Sequence, residues 1–239
     1  MIQISHKKEL EKLLTKDDLE MFLRLKELIQ RLNKISNLTR LIEGDDYWIS
    51  QVYDSLWPFF QDGIKLFEKK KFIDVGSGCG FPGLAYAITH PNSEIYLIDS
   101  SLKKTNALKE IVDAMNFKNK IHIINDRIEN IGHSLDFRHK FDIGTARAVS
   151  SASTVAEYLL PLLKINGVGL LFCGKWPDSD HEKLKKAVTL LNGNINEVKC
   201  KQLPANKGER NAIFIKSSEH CPTCYPRCIG KPSKYPLGN

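Results

Sequence analysis

The sequence predicts an α/β fold, with a mostly parallel sheet of seven strands, a terminal antiparallel hairpin and preceding N-terminal helices. Three observations predict it. From about residue 71, short apolar segments alternate with amphipathic helical ones, which is typical of a parallel sheet covered on both faces. A glycine-rich loop follows the first apolar segment, and the last two apolar segments are joined by a turn without a helix.

The first 65 or so residues are predicted to be helical. Thr15-Lys16-Asp17-Asp18 is typical of a helix start, and apolar residues then recur at helical spacing from Leu19 to Leu32. We expect this helix to end near Asn33. A polar turn at 37–39 and a second helical stretch from about residue 45 should follow.

The apolar runs after residue 70 predict seven strands and four helices. The strands are 72–75, 95–98, 121–124, 141–144, 168–173, 197–203 and 211–216, and the helices lie near 82–89, 102–115, 155–162 and 184–191. The chain therefore divides into an N-terminal helical segment (1–70), a sheet domain (71–217) and a Pro/Cys-rich tail (218–239). We expect the tail to be extended and poorly packed.

Composition points to a cytoplasmic protein with a polyanionic partner. The 239 residues carry a formal net charge of +7, which attracts nucleic acid. The sequence has neither a secretory signal nor an apolar run of the roughly 18 residues that cross a membrane. We expect a monomer without a membrane contact.

Six cysteines are too few for a disulfide framework in a chain of this length. His220, Cys221, Cys224 and Cys228 supply enough ligands for a zinc site. Because they are compressed into nine residues, a tetrahedral site is sterically awkward. We expect reduced thiols and no metal.

The stretch FIDVGSGCGFPG, residues 72–83, fits two cofactor templates. Gly78, Gly80 and Gly83 satisfy the dinucleotide pattern, whereas Asp74 with alternate glycines fits a loop that binds S-adenosylmethionine. Pyrophosphate favours bare amides and is repelled by an aspartate, but the ammonium and carboxylate of adenosylmethionine match both groups. We favour S-adenosylmethionine, and a nicotinamide oxidoreductase remains the alternative.

Polar residues end the next two strands. Asp99 is placed where a carboxylate can accept hydrogen bonds from both ribose hydroxyls of either cofactor. Asn125–Glu129 follows the third strand, and there polar groups could meet the adenine edge while Ile128 covers a ring face.

The fourth strand runs into FDIGTARAVSS. This stretch has neither the Asn/Asp-Pro-Pro-aromatic patch used on exocyclic amines nor the cysteine nucleophile used on pyrimidine C5. Arg147 stays protonated and is no general base. The acceptor should therefore need no base, as is true of N7 of guanine, and Arg147 would position the reacting groups.

These motifs in this order, FIDVGSGCGFPG, LIDSSLKK, NDRIEN and TARAVSS, with upstream NKISNLT and YDSL, resemble the RsmG (GidB) family of bacterial 16S rRNA guanine-N7 methyltransferases. The tail is similar to the extension of cyanobacterial and plastid-type members. The resemblance implies a class I, Rossmann-like S-adenosylmethionine-dependent methyltransferase acting on a loop guanosine of the small ribosomal subunit. In one departure, Ser50-Gln51 replaces a basic residue and His.

The residues and the resemblance together give the expected sites. Cofactor contacts are expected from Asp74, Gly76, Gly78, Phe81, Asp99, Ser100, Ser101, Ile128, Glu129 and Arg147. RNA contacts are expected from Arg31, Lys34, Arg40, Lys103, Lys104, Lys175 and Arg227. A non-catalytic RNA-binding module that responds to S-adenosylmethionine is the competing interpretation.

Overall fold

The structure is a computed structural model that describes residues 6–61, 64–65 and 67–239. Its N-terminal segment contains α1 (Lys7–Leu10), α2 (Lys16–Ser36), α3 (Gly44–Tyr47), a π-helix (Trp48–Tyr53), α4 (Asp54–Leu56), a 3-10 helix (Trp57–Phe59) and a two-stranded antiparallel ribbon, β1 (Phe60–Gln61) with β2 (Ile64–Lys65). The helical prediction is wrong at the ribbon, and the π-helical turn was not foreseen. The predicted helical stretch from about residue 45 is confirmed.

Helix α2 starts where its sequence predicts. The Thr15 hydroxyl accepts a hydrogen bond from the Asp18 amide, and the Asp18 carboxylate accepts one from the Thr15 amide. These reciprocal bonds satisfy amide groups that a helix start leaves open. The helix extends to Ser36, three residues beyond the predicted end, and Asn37 stops it in a left-handed conformation (φ 45°).

The sheet domain alternates strands and helices. Its elements are β3 (Lys71–Val75), α5 (Gly83–Thr89), β4 (Glu94–Ile98), α6 (Leu102–Met115), β5 (Ile121–Ile124), α7 (Ile128–Ile131), β6 (Phe141–Arg147), α8 (Ala152–Leu159), a 3-10 helix (Leu160–Leu162), β7 (Leu163–Cys173), α9 (Asp178–Leu190), β8 (Gly193–Gln202) and β9 (Glu209–Ser217). All seven predicted strands are present, although β6 and β7 are longer than predicted and β8 begins earlier.

The strand order in this sheet is β5-β4-β3-β6-β7-β9-β8. Strands β3 to β7 are all parallel to one another, and β9 is antiparallel to both of its neighbours, β7 and β8. The two faces are covered by separate apolar clusters, one of which includes the N-terminal helices. The predicted fold class, a mostly parallel sheet with a terminal antiparallel hairpin, is confirmed.

The register of β3, β4 and β6 determines which residues meet at the carboxyl edge of the sheet. Val75 at the end of β3 pairs with Ile98 of β4 and with Ala146 of β6. The next residues along the chain, Gly76, Asp99 and Arg147, therefore emerge side by side at the carboxyl edge of the sheet. Ligands of open α/β sheets bind at this edge.

The C-terminal tail is packed against the domain, so the expectation of poor packing is wrong. Cys221 is 2% exposed, and Pro232 lies buried in the short helix α10 (Lys231–Lys234). The predicted boundaries fall immediately before β3 and after β9, and the division into three units remains a prediction. Within the described residues, no helix is long and apolar enough to cross a membrane.

Candidate active site

Two adjoining cavities open at the carboxyl edge of β3, β4 and β6. The larger cavity has a volume of about 470 Å³ and lies between the glycine loop and the N-terminal helices. The smaller cavity, about 290 Å³, lies over the ends of β3 and β4. Gly76, Lys104 and Ala148 line both cavities, so one elongated ligand can extend from one to the other.

The glycine loop forms the floor between the cavities. Gly76 has φ +73° and Gly78 has φ +57°, which are left-handed conformations that favour glycine. A Cβ atom at Gly76 would lie 2.6 Å from Cγ2 of Val149, which lines the smaller cavity. The loop therefore requires glycine both for its backbone and for the space beside the ligand. Phe81, 4% exposed, lines the larger cavity.

Asp74 does not face either cavity, which corrects its expected contact with the cofactor. Its side chain is 0% exposed, Oδ1 accepts a hydrogen bond from the Thr145 hydroxyl (2.8 Å), and Oδ2 accepts one from the Gly83 amide (3.1 Å). Burial raises the pKa of Asp74 to about 6, although these hydrogen bonds favour the charged form. The side chain braces the loop against β6 and α5 from behind.

Asp99 lies where the sequence predicts, at the end of β4 and in the wall of the smaller cavity. Its Oδ2 accepts a hydrogen bond from the Gly78 amide (2.9 Å), and its Oδ1 accepts one from the Ser101 amide (2.9 Å). Lys104 Nζ is 3.8 Å from Oδ2. Ser100 also lines this cavity, whereas Ser101 contributes its amide to holding Asp99.

Two consecutive residues after β5, Ile128 and Glu129, have different surroundings. Ile128 lines the smaller cavity and supplies an apolar wall. The Glu129 side chain, expected at the adenine, instead accepts hydrogen bonds at Oε1 from Arg127 (3.0 Å), Tyr158 (3.3 Å) and the Gly230 amide (3.0 Å). Burial alone would raise the pKa of Glu129, but these amide and guanidinium donors hold it below its ordinary value.

Arg147 extends from β6 into the larger cavity and is held by the N-terminal segment. Its Nη1 donates to the Ser50 carbonyl (2.8 Å) and lies 3.4 Å from Asp54 Oδ2, and its Nη2 donates to Gln51 Oε1. Gln51 Nε2 in turn donates to the Thr39 hydroxyl (3.0 Å). Of these acceptors, only the Gln51 side chain depends on the departure from the family pattern, because the Ser50 acceptor is a backbone carbonyl that any residue would supply.

The larger cavity contains two charged residues that sequence reasoning missed. Asp54 is 4% exposed, and Arg210 of β9 has its Nε 3.4 Å from Asp54 Oδ2. Asp54 thus lies between the Arg147 and Arg210 guanidinium groups. Asp54 Oδ1 is buried and has no hydrogen-bond partner among the described residues. No local motif marks Arg210, because it is 156 positions from Asp54.

Two cysteines in the larger cavity are unsuited to nucleophilic attack. Burial raises the pKa of the Cys79 thiol, and it raises the pKa of Cys173 to about 12. A thiol attacks as the thiolate. Both thiols therefore stay protonated at neutral pH. The cavity is lined by one carboxylate, Asp54, within the described part of the chain.

The predicted RNA-binding residues fall into three groups. Lys104 lines both cavities, and Arg31, Lys34, Arg40, Lys103 and Lys175 are exposed. Arg227 instead makes a bidentate ion pair with Glu157, whose side chain is 0% exposed. This burial directs Arg227 into the domain, which argues against an RNA contact.

The cysteine-rich tail does not gather a metal site. Cys221 is buried, whereas Cys224 and Cys228 are exposed. Among the described residues, no group of three or more His, Cys, Asp or Glu side chains is placed to hold a metal ion.

Comparison with known sequences extends the resemblance over most of the chain. The family model described as "rRNA small subunit methyltransferase G" (GidB) matches residues 18–211. A "Ribosomal RNA small subunit methyltransferase G" from Prochlorococcus marinus strain MIT 9515 is 61% identical over 99% of both chains. A relative of the same name from strain NATL2A is 48% identical over 92% of this chain and 89% of its own length.

Solved structures share the fold at low sequence identity. A 16S rRNA adenine-N1 methyltransferase from Catenulisporales acidiphilia is 13% identical, with a TM-score of 0.52 over 64% of this chain and 86% of its own. A putative methyltransferase from Thermoplasma acidophilum is 10% identical, with a TM-score of 0.51 over 66% and 72% of the two chains. These likenesses show a class I methyltransferase fold.

Proposed function

Because this chain belongs to the GidB family of rRNA small subunit methyltransferases G, we propose that it transfers a methyl group from S-adenosylmethionine to N7 of a guanosine in a loop of 16S rRNA. The larger cavity carries this proposal. It joins the glycine loop to two arginines and one ion-paired carboxylate, and it has no free general base among the described residues.

The residues present fit S-adenosylmethionine. In the smaller cavity, the Asp99 carboxylate suits a ribose diol, and Ile128 suits the face of an adenine ring. Gly76 and Gly78, which have left-handed conformations, carry no side chain, so backbone atoms themselves border the space where the two cavities join. The bound cofactor would supply a methyl carbon made electrophilic by the sulfonium, and its amino-acid end would lie toward Phe81 in the larger cavity.

The larger cavity suits an acceptor that attacks without losing a proton. Guanine N7 has an exposed lone pair, so the protein must position the base but need not deprotonate it. O6 lies beside N7 on the same edge of guanine, and an arginine that donates to O6 alone leaves the N7 lone pair free to attack. We assign this donor role to Arg147, which Ser50 and Gln51 hold in place, with Arg210 beside it.

Asp54 would stabilise the charge that develops during transfer. Methylation at N7 converts a neutral base into a cation, and a fixed carboxylate nearby lowers the energy of that change. The two contacts of 3.4 Å to Arg147 and Arg210 are long, and Oδ1 lacks a partner. Because Oδ1 is buried, Asp54 would act on the reacting base through its charge and not through a hydrogen bond, and the two flanking guanidinium groups offset part of that charge.

The RNA partner follows from the acceptor atom. N7 lies in the deep, narrow groove of an A-form helix, where side chains do not reach it, but a loop guanosine can turn out. The exposed Arg31, Lys34, Arg40, Lys103 and Lys175 are candidates for phosphate contacts. We infer that the protein acts as a monomer in the cytoplasm, where small subunits are assembled.

A labelled-methyl assay tests the proposal. We expect tritium transfer from labelled S-adenosylmethionine to small subunits that lack the modification, and nucleoside mapping should identify N7-methylguanosine. Subunits that already carry the methyl group are the matched control and should accept no label. Label on another base or on protein would contradict the proposed acceptor. Binding of the cofactor without transfer would favour the RNA-binding module.

A further inference from the structure

The C-terminal strap, residues 221–235, reaches the smaller cavity. Ser233 lines this cavity together with Ile128 and Tyr158. The Ser233 hydroxyl lies 3.2 Å from the Tyr158 hydroxyl, within hydrogen-bond distance. A segment that sequence analysis treated as a loose appendage therefore forms part of the wall around the proposed adenosine site.

The strap also holds the residues behind that wall. The Gly230 amide donates to Glu129 Oε1 (3.0 Å), and Gly230 adopts φ +79°, which aims its amide at the carboxylate. The Thr154 hydroxyl donates to the Pro232 carbonyl (3.0 Å). Glu129 immediately follows Ile128, so the strap fixes the turn that presents Ile128 to the cavity.

Buried polar contacts anchor the strap further along. The Arg227 guanidinium pairs with the fully buried Glu157, and the Arg227 amide donates to the same carboxylate (2.8 Å). Arg138 donates to the carbonyls of Cys221, Pro222 and Tyr225 at 2.7 to 2.9 Å. Charge-assisted bonds of this kind, partly shielded from water, hold a segment in one geometry.

We propose that the C-terminal strap is a component of the cofactor site, in which Ser233 and the Tyr158 hydroxyl that it contacts close the smaller cavity around the adenosine moiety. The inference rests on the proposed function, because the ligand is the adenosine part of S-adenosylmethionine. Ser233 is exposed in the structure, so it acts at the rim, where a larger side chain would obstruct entry without disturbing the core.

Calorimetry with S-adenosylhomocysteine on the full-length protein tests the strap. Ser233→Phe places a ring at the rim of the cavity and should weaken binding about tenfold or more. Ile229→Phe is the matched control, since Ile229 is an exposed strap residue that does not line the cavity, and its affinity should equal that of the unmodified protein. Tyr158→Phe keeps the ring, loses the hydroxyl and should weaken binding about threefold.

The outcomes separate the two proposals. If the unmodified protein does not bind S-adenosylhomocysteine, the proposed function fails. If it binds and Ser233→Phe and Tyr158→Phe bind equally well, the strap proposal is overturned while the proposed function stands. Hydrogen exchange gives a readout independent of these variants: adding S-adenosylhomocysteine should slow exchange of the strap amides, and unchanged strap exchange would also overturn the proposal.

Discussion

Replacing Asp74 with Asn should remove a pH dependence from the stability of this protein. The Asp74 carboxyl is fully buried, and its pKa is raised from 3.8 to about 6. The folded state thus binds a proton that the unfolded state releases, so the free energy of unfolding falls as the pH rises from about 4 to about 6. A tenfold change in a protonation equilibrium is worth about 1.4 kcal/mol, which gives a total loss of about 3 kcal/mol.

Urea denaturation at several pH values between about 4 and 7 measures this effect as the difference between the two proteins. An Asn side chain can accept from the Gly83 amide and donate to the Thr145 hydroxyl, so it retains both contacts without titrating. Relative to the unmodified protein, Asp74→Asn should gain about 3 kcal/mol across that range. A difference that stays constant with pH would refute a raised pKa for Asp74.

Asp142→Asn is the control, because Asp142 lies on β6, the strand next to that of Asp74, but titrates in the opposite sense. Burial opposes its ionisation, yet hydrogen bonds from Lys164 and the Lys71 amide hold its pKa below 3.8. Its ionised form therefore contributes stability that is present above about pH 4 and is lost only as the pH falls further. Between about pH 4 and 7, Asp142→Asn should differ from the unmodified protein by a constant amount.

Three further substitutions test the larger cavity and the loop. Arg147→Lys keeps the charge but loses the planar donor set, so methyl transfer to small subunits should fall about tenfold or more with unchanged thermal unfolding, and full activity would contradict its positioning role. Gly83→Ala places a Cβ 2.3 Å from a Leu97 methyl and 2.9 Å from Asp74 Oδ2. It should lower the stability of the folded protein in thermal unfolding by about 1–3 kcal/mol. Gly174→Ala is the control, because a Cβ at Gly174 would have no atom within 4 Å outside its chain neighbours. Cys173→Ser should retain transfer within about twofold, because its thiol stays protonated, and complete inactivity would restore a nucleophilic role.

The succession of strands along the chain and the sheet edge at which their loops emerge could be predicted from sequence, because both depend on local signals. Each strand is an apolar run, and the residue that follows it, as at Gly76 and Asp99, must emerge at the carboxyl edge of a parallel sheet. Sequence does not encode which side of the loop a carboxylate faces. Asp74 was expected at the ligand, but its contacts with Gly83 and with Thr145, 71 positions away, turn it inward.

The remaining parts of the site depend on long-range packing. Asp54, Arg147 and Arg210 belong to helix α4, the parallel strand β6 and the antiparallel interior strand β9, and only the folded chain brings them together. Proline-rich composition predicted a loose tail, yet Glu129 and Glu157 hold it through an amide and a guanidinium. Composition reports how a segment folds by itself, whereas those partners are supplied by distant elements.

In the proposed mechanism, the attachment of Arg147 to Ser50 and Gln51 makes the amino-terminal helices part of the machinery that positions the reacting groups. Without the residues that precede β3, the Arg147 guanidinium would lose both neutral acceptors and would be free to rotate away. The packing of residues 6–61 against the sheet domain therefore sets the direction in which the guanidinium points. In the proposed mechanism, a partner that binds those helices would therefore change the position of Arg147 at the reacting groups.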